Sequence, residues 1–203
     1  MTRRGWTGGL IFAIASTSCA SSSGPTSSDA GASASSGGYA EGNTFPDLSL
    51  TGYLDKNNDG ALTPDEYGPV HPSDVLAANP KAEVLLVHVA FGWCKYCWEE
   101  TAEQIKMTKG YAGRFVSVQV LVQDRNGDPA TQAFQDEWLK INKSAMPTTL
   151  EPEGTLFKKF GRSATYLMLD PKEMKVLVVG AGPPTFGYVK DKIAQRLGPL
   201  PQG

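Results

Sequence analysis

The chain has 203 residues, 40% of them hydrophobic and 20% charged, with a formal net charge of −2 and a pI near 5.7. That length predicts one ordinary domain with extras or two very small ones, and the apolar share excludes wholesale disorder. The mild acidity, without a lysine–arginine cluster, excludes an electrostatic footprint for nucleic acid, and three cysteines are too few for a disulfide-dense scaffold.

Residues 1–18 read as an export signal. Arg3 and Arg4 give a positive start, residues 8–15 are a short apolar run, and Ser16, Thr17 and Ser18 lead to Cys19. The run is far shorter than the ~20 residues that span a bilayer. A cysteine directly after small residues resembles a bacterial lipoprotein signal, in which Cys19 becomes the lipidated first residue of the mature protein. Ser16 departs from the leucine usual three places before that cysteine, and simple secretion stays open as the alternative. Residues 20–38 are almost wholly Ser, Gly and Ala, a composition that cannot offset its ordering entropy by burial. Residues 19–43 are therefore expected to be anchor and flexible tether, which puts the protein outside the cytoplasm, in the periplasm and on a membrane.

Residues 44–83 form an N-terminal extension. Residues 46–54 alternate like a strand and lead into a twelve-residue loop, 55–66. In it Asp55, Asn57 and Asp59 offer side-chain oxygens, Ala61 a carbonyl, Thr63 a contact through water and Glu66 a bidentate carboxylate, with Gly60 at the sharp turn. The pattern fits an EF-hand calcium loop at each key position. Its flanks do not, because a strand precedes it and Gly68-Pro69 cuts off an outgoing helix. One calcium ion stapling the extension is one reading, and an Asx-rich turn without metal is the other.

From residue 84 to 198 strands and helices alternate. Residues 83–91 (EVLLVHVAF) have the length and composition of a buried strand. Residues 95–109 are helical in pattern, with Cys97, Thr101, Ile105 and Thr108 along one face. Residues 114–123 are a second strand. Asp128-Pro129 opens a helix to about Ile141, with Phe134, Trp138 and Ile141 as its apolar stripe. A short strand at 148–150, a helical turn at 156–160, strands at 165–169 and 175–179 and a helix at 185–197 complete the series, and 199–203 are a tail. This order predicts an α/β fold, a sheet with parallel strands and helices on both faces.

The sequence Trp93-Cys94-Lys95-Tyr96-Cys97 stands where the first buried strand gives way to a helix. A cysteine capping that helix faces unpaired N–H groups and the positive end of the helix dipole, which favours its thiolate and makes it the attacking sulfur. Lys95 adds positive charge nearby. Cys97 lies one turn on. A zinc half-site would need two further ligands, and outside the pair the chain offers only two histidines and the tethered Cys19; a structural disulfide is the other bland reading.

The strand–WCxxC–helix arrangement, with Asp170-Pro171 before Lys175-Val176 and the segment 146–161 (MPTTLEPEGTLFKKFG), resembles the thioredoxin superfamily over residues 45–198, and within it the TlpA/ResA-type thiol–disulfide oxidoreductases and related redoxins. The resemblance implies a thioredoxin-like α/β fold, a central mixed sheet with helices on both faces, extended here by an N-terminal β-type segment. It implies Cys94 as nucleophile and Cys97 as resolving thiol, with no cofactor beyond their disulfide. Glu100 falls where those proteins carry a glutamate that tunes the thiols. His88 falls where thioredoxins carry a buried acid, and an imidazole there could accept the Cys97 proton; a hydrogen-bonded core histidine is the alternative. Trp93 fits the aromatic before the cysteine and is expected to shape the docking surface. The chain departs from the family at the cis-proline: counting back from Asp170 puts Ala164-Thr165 in its place, and Pro147-Thr148 stays open as the alternative, although Glu151-Pro152 follows it too soon for the strand. A non-proline peptide prefers trans by about 2.5–4 kcal/mol, so this substrate-facing loop departs from the family.

The function expected is exchange of disulfides with thiol-bearing envelope proteins, supplied by an upstream electron donor or acceptor. A redoxin-type thiol peroxidase is the rival enzyme, although Phe91-Gly92-Trp93 lacks the Thr/Ser pattern of a peroxidatic cysteine. A non-enzymatic calcium- or metal-binding lipoprotein is the rival outside enzymology.

Overall fold

The computed structural model describes residues 39–201 apart from 58, 152, 161–163 and 183–184. The export signal, Cys19 and the tether up to residue 38 lie outside the described residues. Seven strands are described: β1 (Leu50–Tyr53), β2 (Tyr67–Val70), β3 (Val84–Phe91), β4 (Phe115–Gln123), β5 (Thr148–Leu150), β6 (Thr165–Asp170) and β7 (Lys175–Ala181). Five α-helices are described: α1 (Pro72–Ala78), α2 (Lys95–Gly110), α3 (Gln132–Asn142), α4 (Thr155–Phe160) and α5 (Thr185–Leu197).

The strands make one mixed sheet in the order β2-β1-β5-β4-β3-β6-β7. β3, β4 and β5 run parallel, and the remaining pairs are antiparallel. β3 is buried at every residue and β4 at all but Gln123, as continuous apolar runs become when both sheet faces are covered. His88 and Phe91, three apart on β3, point to opposite faces. α2 lies over the His88 face, where Gln104 reaches His88. α3 and α5 join it there, through Trp98 stacked on Trp138 at 3.8 Å and Lys190 beside Glu103 at 3.9 Å. α4 covers the other face, with Phe157 against Phe91 at 4.9 Å.

The extension enlarges the sheet rather than forming a helix–loop–helix. β1 and β2 form a hairpin around the loop, and β1 also pairs with β5. That second pairing needs Gly52, because a Cβ there would lie 2.2 Å from the Thr148 carbonyl oxygen. The expected strand 46–54 shortens to β1, while β2 and α1 were not foreseen. Pro69, read as a breaker, sits in β2 at the sheet edge, where a missing N–H costs no ladder bond.

Residues 39–43, expected in the tether, are packed. Tyr39 and Phe45 are buried edge to face at 5.5 Å, and backbone bonds join Gly42 and Asn43 to Val176 and Phe45 to Met174 along β7. Two helix faces also differ from expectation. On α2, Ile105 is half-buried and the polar Glu100 and Gln104 are buried with Cys97 and Thr101. On α3, which begins at Gln132 behind a Thr131 cap, Gln135 is buried and Ile141 is 49% exposed. Buried polar groups survive where hydrogen bonds satisfy them: the Gln135 amide N–H₂ donates to the Thr148 carbonyl on β5, and the α2 groups find their partners at the site described below.

Candidate active site

β3 ends at Phe91, and a tight turn through Gly92 delivers the chain to α2 with Cys94 as its N-cap. Only glycine fits this turn: a Cβ at Gly92 would stand 2.5 Å from the Asp124 carbonyl carbon and 2.5 Å from Phe134 Cζ. The Cys97 N–H donates to Cys94 Sγ at 3.3 Å. A helix N-terminus stabilises negative charge at that place. Both cysteines are thiols and both are buried, Cys94 5% exposed and Cys97 fully enclosed. Trp93 and Tyr96 flank them on the surface, 47% and 53% exposed, and the Trp93 indole is anchored on Gln123 at 2.9 Å.

The two sulfurs have different roles imposed on them. The hydrogen bond to Cys94 and burial push the Cys97 thiol strongly up, so it holds its proton. Glu100, one turn further along α2, is buried, and its carboxyl is pushed up to about 8, chiefly by burial and then by the charge of Cys94 and of Glu99. The Tyr166 hydroxyl on β6 donates to Glu100 Oε2. Tyr166 was not among the residues expected at the site. It lies inside the apolar run TYLML, and only its phenol oxygen among hydrocarbon neighbours marked it as a residue in need of a polar partner.

Beneath the pair lies a buried polar network. The Trp138 indole N–H donates to Gln119 Oε1 at 2.6 Å, which turns the Gln119 amide N–H₂ toward Thr101 Oγ1 at 2.6 Å and His88 Nδ1 at 3.4 Å. Thr101 in turn donates to the Cys97 carbonyl at 2.6 Å. Gln104, which accepts from Ser117, reaches His88 Nδ1 at 2.9 Å. His88 Nδ1 is thus an acceptor, so its proton sits on Nε2, which has no hydrogen-bond partner. Burial lowers its pKa to about 3. The expected role of His88 as proton acceptor for Cys97 is corrected by this geometry: the one nitrogen with a free lone pair is taken up by two amides. His88 serves as a packed neutral core residue, stacked on Tyr166 at 4.7 Å.

Lys95 lies at the first turn of α2, on the surface. Its side chain is 82% exposed and its ammonium pairs with Glu99 at 3.5 Å, the neighbour an i,i+4 spacing provides. Ala164 immediately precedes β6, whose Thr165 pairs with Val89 near the end of β3. It is fully buried in the left-handed region at φ 55°. Pro147 instead precedes β5 and its carbonyl accepts from the Gln119 N–H, with β4 and β3 lying between β5 and β6. Thr165 therefore stands on the strand next to β3, and Pro147 does not.

No protein-family model and no curated protein matches this chain. Solved structures do. A candidate thiol:disulfide interchange protein DsbE from Chlorobium tepidum superposes with a TM-score of 0.58 at 21% identity, covering 78% of this chain and 99% of its own. A thiol:disulfide interchange protein from Bacteroides sp. gives 0.54 at 16% identity, with 82% and 95% covered. The exposed lipoprotein thioredoxin Etrx1 of Streptococcus pneumoniae gives 0.50 at 16%, with 72% and 99% covered. The fold is thioredoxin-like. In that frame β3, α2 and the turn between them carry the cysteine pair.

The loop 55–66 is away from this centre and is held by its own hydrogen bonds. Asp55 accepts from the Asp59 and Gly60 N–H groups, Asn57 from Asp59, and Asp59 from Ala61. Glu66, 8% exposed, accepts from the Lys56 and Thr63 N–H groups. Among the described residues no group of three or more His, Cys, Asp or Glu side chains is gathered as a metal site. Also among them, no helix is long and apolar enough to cross a membrane.

Proposed function

We propose that this protein is a thiol–disulfide oxidoreductase, exported and held to a membrane by a lipid on Cys19, that exchanges disulfides with envelope proteins. The observation that carries the reading is the arrangement of Cys94 as helix cap, accepting from the Cys97 N–H, with Cys97 held as a thiol one turn on. The exposed lipoprotein thioredoxin among the structural neighbours supports the placement outside the cytoplasm.

In the reducing direction the Cys94 thiolate attacks one sulfur of a substrate disulfide. A Cys94–substrate bond forms, the substrate S–S bond breaks, and the departing thiolate leaves to take up a proton. In the mixed disulfide Cys94 no longer carries the charge that disfavours ionisation of Glu100, so the carboxyl gives up its proton to solvent. Cys97 then attacks Cys94, its S–H proton passing to the Glu100 carboxylate, and the second substrate thiolate leaves. Two electrons move from the cysteine pair to the substrate. The oxidising direction is the reverse, and an external thiol–disulfide partner resets the pair. Trp93 and Tyr96 offer apolar contact around the entry to Cys94, and Ala164 and Thr165 meet the substrate backbone.

The test is catalysed reduction of a protein disulfide with dithiothreitol as the electron source. The wild type accelerates it and Cys94→Ser does not. Equal acceleration by Cys94→Ser refutes the assignment, and peroxide consumption without disulfide exchange would favour a thiol peroxidase. The 55–66 loop supports a separate proposal of one calcium ion, on its twelve-residue pattern of oxygen donors. A saturable rise in Tm with calcium supports it, and an unchanged Tm removes it.

A further inference from the structure

Glu100 is buried against the cysteine pair, and it touches one hydroxyl. Tyr166 is itself fully buried, and its ring is fixed on both sides, stacked on His88 at 4.7 Å and tilted on Phe186 at 5.1 Å. His88 is in turn immobilised by Gln104 and Gln119, and its register on β3 is opposite Tyr166 on β6. A phenol clamped in this way has few places to put its O–H, and it donates to Glu100 Oε2.

We propose that Tyr166 is the positioning residue of the site: clamped between His88 and Phe186, it fixes the Glu100 carboxyl and leaves Oε1 to exchange the proton of the cysteine pair. The inference rests on the proposed role of Glu100 in taking the Cys97 proton. Tyr166 donates to Oε2 whether Glu100 is ionised or neutral, so the exchanged proton resides on the other oxygen. The bond is stronger to the anion, because hydrogen bonds to charged groups exceed neutral ones. Tyr166 therefore works against burial, which favours the neutral acid.

The groups that face Glu100 come from every element around it. Cys94 and Glu99 disfavour its ionisation from the start of α2, and Lys190 on α5 favours it. Lys190 is shared with Glu103 at 3.9 Å, and it lies 5.5 Å from the Phe186 ring. Cys97 is uncharged, and His88, behind the Tyr166 ring, is neutral across the working range. Tyr166 is thus the neutral donor among charges and is removable without altering any of them.

The experiment follows the Glu100 side-chain carbon by carbon-13 NMR against pH in the wild type and in Tyr166→Phe, with the signal assigned by its loss in Glu100→Gln. Tyr166→Phe keeps the stack and raises the midpoint by about one pH unit. The pH profile for reduction of a small aromatic disulfide moves with it, and Tyr166→Phe has no further effect in a Glu100→Gln background. A stronger donor of the same shape, fluorotyrosine placed at 166, moves the midpoint down, which separates donation from folding. An unchanged Glu100 midpoint in both variants overturns the role of Tyr166 alone, provided Glu100→Gln alters the rate profile. A Glu100→Gln profile identical to wild type overturns the role of Glu100 and with it this inference.

Discussion

Substituting Glu100 by Gln should flatten the decline in stability toward alkaline pH. The carboxyl is raised from an ordinary 4.5 to about 8 in the folded chain, first by burial and then by Cys94. Between those values the folded state holds a proton that the unfolded state has lost, so stability is full below 4.5 and falls as pH rises through 8. His88 has the opposite sign. Its pKa is lowered from 6.5 to about 3, so its contribution is full above 6.5 and is lost as pH falls. The two slopes oppose each other below 6.5, and above it only Glu100 of the two still titrates. From 6.5 to 8 the span is 1.5 units, which corresponds to about 2 kcal/mol. For a domain of this size that is roughly 6 °C in Tm. Glu151 is also raised by burial, and it cancels in the comparison because both proteins keep it. Urea midpoints at fixed pH, measured on the reduced protein, should fall more steeply between pH 6.5 and 8 for the wild type than for Glu100→Gln, whose amide oxygen still accepts from Tyr166. Parallel curves for the two proteins would refute the claim that Glu100 folds as the neutral acid.

Three other outcomes follow from contacts at the site and in the extension. Gly92→Ala drives a Cβ to 2.5 Å from the Asp124 backbone and the Phe134 ring, costing about 1–3 kcal/mol and slowing thiol exchange, because this turn aims Cys94; unchanged kinetics would contradict it. Gly52→Ala meets the Thr148 carbonyl at 2.2 Å and should destabilise by a comparable amount while leaving thiol exchange at wild-type rates, since the clash is between β1 and β5 and not at the cysteines. The His88 imidazole should show one Nε2–H tautomer with no titration between pH 5 and 8 by nitrogen-15 NMR, and a midpoint inside that window would restore it as a proton acceptor.

Much of the sheet was legible because β3 and β4 are rich in branched apolar residues over eight and nine positions, and residues 185–197 carry a helix pattern. The cysteine pair was legible for a different reason: CxxC at a strand–helix junction has few other physical uses. What escaped was decided by partners distant in sequence. Gly68-Pro69 reads as a breaker until β1 is known to run beside it and leave Pro69 on an edge. Nothing local in the sequence marks Gln104 or Gln119 for burial, which follows from His88, Thr101 and Trp138 converging on them. Tyr166 reads as one more core residue until Glu100, 66 positions away, is found at its hydroxyl. Local pattern thus reported the elements, and only the fold could report which buried polar groups satisfy one another.

The central claim, attack by Cys94 and resolution by Cys97, is tested most directly by trapping. Reduced Cys97→Ala protein, mixed with a protein disulfide and resolved without reductant, should accumulate a covalent complex through Cys94 that dithiothreitol releases. The wild type should pass through it without accumulation, and Cys94→Ser should form none. A complex formed equally by Cys94→Ser, or none formed by Cys97→Ala, would contradict the account.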